Sequence, residues 1–310
     1  MKKIFLLFAA AVMSAGVMFA QDINQAIENV NNGNMEFEMG NKDAALTCFQ
    51  TALTIAEGLG EEGADITATC KNTIPTIMLS IAKDQIKAKD FDGALAQIGK
   101  ATETAELYGN ADVVTEANEL LPGIYLSQGQ NLLKAKDAAG AEAAFKKAIE
   151  LDPTNGAGYL LYGQVLAATG KTAEAEEAYL KASENGMESK AKPALSKMYQ
   201  KLAQTALKAK KYQDTIDYAT KANSFDEDAN SYNFAARAAQ QLGKNADCIA
   251  NFEKYLELKP NAKDAAGVKF TIAALYQQTG NKAKAKEYYQ MVANDPQYGA
   301  GAQEQLKTLK

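Results

Sequence analysis

Few side chains in this 310-residue sequence could do covalent chemistry, and none is set in a catalytic pattern. There is no histidine and no tryptophan. Without histidine the chain lacks the side chain that titrates nearest neutral pH and the commonest metal ligand. Every histidine-dependent triad or zinc site is therefore excluded. A serine or cysteine nucleophile would need a lysine or carboxylate base. Three cysteines stand at Cys48, Cys70 and Cys248. None is in a C-x-x-C pair, so neither a thiol redox motif nor a zinc knuckle is supported. They read as small apolar residues on helical faces, although Cys48 and Cys70 could pair in an oxidising compartment. Paired carboxylates occur, such as Asp112 with Glu116 and Glu174 with Glu177. Their spacing, with lysines beside them, is that of solvated helix faces. No catalytic residue, metal site or cofactor site is assigned, and no enzyme is expected.

The elements that carry these residues repeat. Residues 122–155 and 156–189 align without a gap over a 34-residue period. Tyr125 falls on Tyr159, Gly129 on Gly163, Ala141 on Ala175, Phe145 on Tyr179 and Ala148 on Ala182. In each segment a small residue sits four before an aromatic and another three after it. That spacing places all three on one helical face, where small residues admit a neighbouring helix and the aromatic fills the gap. The segments resemble the tetratricopeptide repeat, a 34-residue helix–turn–helix unit. The resemblance implies an all-α solenoid of about seven helix–turn–helix repeats in a right-handed superhelix, with first helices lining a concave groove.

The same frame recurs along residues 21–310, read as a single solenoid. Its repeats are expected at about 26–59, 64–108, 111–155, 156–189, 196–229, 229–262 and 266–299, with a C-terminal cap over 300–310. The second and third are longer than standard. Residues 64–90 match 111–137 at ten of 27 positions, an internal duplication. Its surplus of about 13 residues would lengthen paired helices or add a short one. Pro75, Pro122 and Pro193 are placed where a first helix begins, and Pro153, Pro260 and Pro296 where a second ends. None is expected inside a helix, where it would cost roughly 3 kcal/mol. Turns from first to second helix carry Gly40, Lys89, Gly170, Gly243 and Gly280; glycine there permits a left-handed C-cap.

Residues 1–20 read as a secretory signal peptide, with Lys2 and Lys3, then an apolar stretch, then small residues up to Ala20. The alternative, an uncleaved anchor, would need a longer apolar run. The Ala20–Gln21 junction resembles leaders of Bacteroidota. The expected location is the periplasm, or the outer-membrane-associated or extracellular side, of a Gram-negative bacterium. No transmembrane segment remains after signal cleavage. Net charge is −5, so the chain lacks the basic footprint of a nucleic-acid binder.

The resemblance also places the binding residues. Position 9 of each first helix faces the groove in that family. Here it holds Asn34, Lys83, Gln130, Gln164, Gln204, Arg237 and Ala274; Gln240 and Gln277 stand at position 12. An amide donates and accepts together, as the main chain of an extended peptide requires. Lys83 and Arg237 could hold carboxylates. The bland alternative is that these amides are solvated filler. The carboxylate clamp of chaperone-binding members is not matched: Leu126, Gln130 and Leu161 stand where it needs Lys, Asn and Asn. Only Lys197 and Lys201 of the fifth repeat fit it. The expected function is a non-enzymatic scaffold in the cell envelope, binding a protein or peptide of unknown identity. The alternative is a component of envelope nutrient capture or outer-membrane assembly.

Overall fold

The computed structural model describes residues 23–309, so the signal peptide expected at 1–20 lies outside the described residues. These residues form six helical hairpins, a further pair of helices joined by a turn, and a final helix, with no strand among them. The hairpins are α1 (Ile23–Glu38) with α2 (Lys42–Gly58), and α3 (Ala64–Lys87) with α4 (Phe91–Tyr108). Next come α5 (Ala111–Lys134) and α6 (Ala138–Leu151), joined by a turn, and the hairpin of α7 (Gly156–Ala168) with α8 (Thr172–Ala182). Then follow α9 (Glu188–Lys208) with α10 (Tyr212–Phe225), and α11 (Ala229–Gln241) with α12 (Asn245–Leu258). The last are α13 (Ala265–Gln278) with α14 (Lys282–Met291), and the single α15 (Gly299–Thr308). The fold is an all-α solenoid of helix–turn–helix repeats. The chain divides into two compact units, one ending at Asn131 and one beginning at Leu132, within α5.

One device makes all seven first-to-second turns. Each has three residues, and the middle one has a positive φ: Gly40, Lys89, Lys136, Gly170, Lys210, Gly243 and Gly280. The residue after it donates its N–H back into the first helix. Asn41 N reaches Glu36 O at 2.8 Å, Lys171 N reaches Leu166 O at 2.9 Å, and Asn281 N reaches Tyr276 O at 2.8 Å. This is the left-handed cap that closes a helix on its own last carbonyls. Glycine adopts it freely, whereas lysine does so against its Cβ. Lys89 has a φ of 63°. Lys89→Gly is therefore expected to stabilise the chain by roughly 0.5–1 kcal/mol, the relief of strain less the added freedom of the unfolded chain. A denaturant midpoint that falls would show that this turn carries no strain.

The repeat signature is the core. The residues at position 24 are Phe49, Ile98, Phe145, Tyr179, Ala219, Phe252 and Tyr289, and all are at most 4% exposed. Small residues face them closely. A Cβ on Gly33 would meet the Phe49 ring at 2.8 Å, and one on Gly163 would meet Tyr179 at 2.9 Å. The ring thus rests on the backbone of the first helix, and only a very small side chain fits there. Cys70 and Cys248 are buried and Cys48 is half-buried, and all three thiols are free. Burial pushes Cys70 and Cys248 up to about 11. Both stay protonated and unreactive at neutral pH.

The prolines correct the sequence reading. Pro75, Pro122 and Pro193 lie inside α3, α5 and α9, not at a helix start. The cause is the surplus sequence, which extends these first helices toward their N-termini. α3 and α5 each have 24 residues, and α7 has 13. α9 likewise starts at Glu188, eight residues before the expected repeat boundary at 196. Each extension buries residues four apart: Cys70 and Ile74, Val113 and Ala117, Ala191 and Leu195. That apolar stripe offsets the hydrogen bond each proline omits.

Candidate protein-binding groove

The residues placed at groove positions differ in what they can still bind. In the first unit Asn34 and Gln130 are exposed. Lys83 pairs with Glu116 at 2.5 Å, tying α3 to α5. In the second unit Gln164 on α7, Gln204 on α9 and Gln240 on α11 are exposed. Their amides make no hydrogen bond among the described residues. Arg237 Nη2 lies 3.4 Å from Asp264 Oδ2. Asp264 also accepts from the Tyr255 hydroxyl at 2.6 Å. Gln277 is already satisfied. Its Nε2 donates to Gln305 Oε1 at 3.0 Å, and its Oε1 accepts from the Tyr289 hydroxyl at 3.0 Å. Its amide fastens α15 to the last hairpin and has little left for a ligand.

An open pocket of about 620 Å³ lies between α9, α11 and α13. Arg237 and Gln240 share its wall, so this pocket brings two of the expected groove residues together. Lys208 and Lys210 line it too, with Phe270 and Tyr298 as apolar walls. Neither lysine forms an ion pair among the described residues. Sequence reasoning did not assign Lys208, Lys210, Phe270 or Tyr298 to a site. The lysine run at the end of α9 was a signal that could have been followed. Tyr298 had none, because it lies in the turn after α14, away from the recurring positions of the repeat.

A second pocket, of about 650 Å³ in the first unit, is lined by Glu57, Lys71, Asn72 and Tyr108. Here Lys71 is held by Glu57 at 2.9 Å and lies 5.7 Å from the centre of the Tyr108 ring. The hydrogen bond and charge of Glu57 raise the lysine above its ordinary value. The cation is spent within the wall.

Tetratricopeptide repeat models match residues 132–204, then 229–262 and 266–291. Over these segments the chain matches the tetratricopeptide repeat. Solved structures of similar fold include YrrB, titled a TPR protein with an unusual peptide-binding site. It is 20% identical, with 62% of this chain and 96% of that one covered and a TM-score of 0.35. MamA is 21% identical, with 59% and 96% covered and a TM-score of 0.37. PilF of Pseudomonas aeruginosa is 19% identical, with 62% and 93% covered and a TM-score of 0.30. No curated protein matches the chain. Tetratricopeptide repeats generally mediate protein–protein interaction; Gln164, Gln204, Arg237, Gln240 and Gln277 lie within the matched segments, and Asn34, Lys83 and Gln130 lie outside them.

No described helix is long and apolar enough to cross a membrane. Carboxylates that gather other groups have structural partners. Glu253 Oε1 accepts from both the Tyr276 and the Tyr288 hydroxyls at 2.9 Å. Glu176 holds the Tyr199 hydroxyl at 2.8 Å and Lys221 at 2.7 Å. Both sets join neighbouring hairpins.

Proposed function

We propose that this chain is a non-enzymatic adaptor that holds a segment of another protein along the first helices of its second unit. We place it in the envelope of a Gram-negative bacterium after export, on the strength of the leader at residues 1–20. The observation that carries the binding reading is the set Gln164, Gln204 and Gln240. Consecutive first helices α7, α9 and α11 each present an exposed amide without an internal partner. A fold that needed these side chains would bond them. An extended main chain offers the donors and acceptors they lack.

Crosslinking in intact cells followed by mass spectrometry tests this. Gln164→Ala, Gln204→Ala and Gln240→Ala together are expected to reduce recovery of the crosslinked partners by roughly tenfold, with the melting temperature unchanged, since three exposed hydrogen bonds to the ligand are removed. Equal recovery from both forms would eliminate the amide groove. Fractionation of the same cells tests the location, and a cytosolic mature protein would remove the export half of the proposal.

A further inference from the structure

We propose that this chain self-associates through α1, whose exposed face pairs with the same face of a second copy about a two-fold axis at Asn31. The two ends of the repeat array differ. An array of hairpins needs a polar outer side on its terminal elements, because no neighbour covers them. α15 provides one: it buries Ala302 and Leu309 and exposes Gln303, Glu304 and Lys307. α1 does not. Ten large apolar side chains are exposed among the described residues, and four of them, Ile27, Met35, Phe37 and Met39, lie on α1 or in the turn after it. Met35 is 52% exposed and Met39 58%.

Ile27, Asn31 and Met35 stand four residues apart, a single row on the helix surface. Ile23 and Met39 extend that row at its two ends. Met39 N still donates to Met35 O at 3.0 Å, so the helical register holds through it. The row reads Ile, Ile, Asn, Met, Met, and it complements itself when reversed. With a second α1 antiparallel to it and Asn31 at the centre, Ile27 meets Met35 of the other copy, and Ile23 meets Met39. Asn31 meets its own counterpart. An amide donates and accepts at once, so it is its own partner. The Asn31 side chain is exposed, and it makes no hydrogen bond among the described residues.

Charge favours a second copy and fixes the register. α1 has no basic residue. Beside the row it exposes Glu28 and Glu38, neither in an ion pair among the described residues. In the antiparallel pairing Glu28 meets Asn34 of the other copy and Glu38 meets Asn24. No acid opposes an acid, and each carboxylate faces an amide that can donate to it. Moving the centre by one residue, to Asn32, would set Glu28 against Glu36. The face is small. α1 has 16 residues, so it is about 24 Å long and one helix wide. A contact of that size belongs to the weak, reversible class.

The test is sedimentation equilibrium of the full mature chain from micromolar to near-millimolar concentration. A monomer–dimer equilibrium is expected, with no larger species. Asn31→Glu and Asn31→Lys each set like charges against each other at the axis, and each alone is expected to weaken the dimer at least about tenfold. Mixed in equal amounts, the two variants should associate again at least as well as the unchanged chain. Unchanged melts would show that both fold. Gln50→Glu, at an exposed position on α2, should leave the dimer as it was. A chain that stays monomeric throughout would overturn the proposal. Assembly beyond the dimer would also do so, since it means a head-to-tail contact. So would undiminished pairing of the Asn31→Glu chain, no recovery in the mixture, or equal weakening by Gln50→Glu. The amide groove of the second unit takes no part in this contact, so either proposal can fail while the other stands.

Discussion

Phe145→Ala is expected to cost roughly 3–5 kcal/mol and to lower the melting temperature by something on the order of 10 °C. Phe145 on α6 has no exposed surface, and Ala141 and Ala148 beside it have none either. Alanines cannot move inward to fill the space, so most of the ring's volume would remain as a cavity. The penalty is then the lost transfer energy plus the cavity term. Stability in a repeat array is roughly a sum of hairpin and interface terms. The loss should therefore be greatest in α6 and in α7, which contacts it. Faster hydrogen exchange centred there, with a lower melt by calorimetry, would confirm it. An unchanged melt would mean that the aromatic position is not part of the core.

The second large effect is at Glu253. Its Oε1 alone accepts the hydroxyls of Tyr276 on α13 and Tyr288 on α14, at 2.9 Å each. Glu253→Ala leaves two half-buried donors without an acceptor, at a cost of roughly 2–3 kcal/mol after water recovers part of the loss. Glu253→Gln keeps a carbonyl oxygen and should cost about half as much. Adding Tyr276→Phe and Tyr288→Phe to Glu253→Ala should cost little more, because the shared interaction is already gone. Additive losses would show that the three side chains act independently.

The same cluster sets an alkaline limit. Burial, then the hydrogen bond and charge of Glu253, pushes Tyr276 up to about 12, and Tyr288 rises from the same causes. Both phenols thus hold their protons more tightly in the folded chain than in the unfolded chain, where the value is near 10. Their contribution is complete below about pH 10 and is lost as pH climbs through the folded values. The melting temperature should fall over that range, and the double phenylalanine variant should flatten the fall.

Much of the fold was legible in the chain. A 34-residue recurrence of small and aromatic residues, as at Gly163 and Tyr179, admits few packings other than hairpin on hairpin. The glycine turns were legible for the same reason, since Gly170 and Gly280 do what other residues resist. The lysines at Lys136 and Lys210 were harder to see, because the backbone cap bonds there override a local preference of only 1–2 kcal/mol. The prolines misled because their usual place at a helix start is a preference of an isolated helix. Burial of Ile74, Ala117 and Leu195 changed the balance.

For the groove the division is sharper. Residue type and repeat position placed Gln164, Gln204 and Gln240 on first helices, and periodicity alone brought them there. Periodicity could not say which polar groups remain unbonded. Gln277 looks like Gln240 in sequence, but it is occupied by Tyr289 and Gln305, side chains 12 and 28 residues away. Lys83 and Lys201 look alike too, yet Glu116 pairs with the first and no acid among the described residues pairs with the second. By itself the amino-acid order determined the hairpins, their turns and their buried rings, because those depend on contacts within one or two repeats. Only the tertiary structure decided which surface groups are already satisfied, because an acceptor supplied from another helix decides whether a side chain is bracing or a binding site.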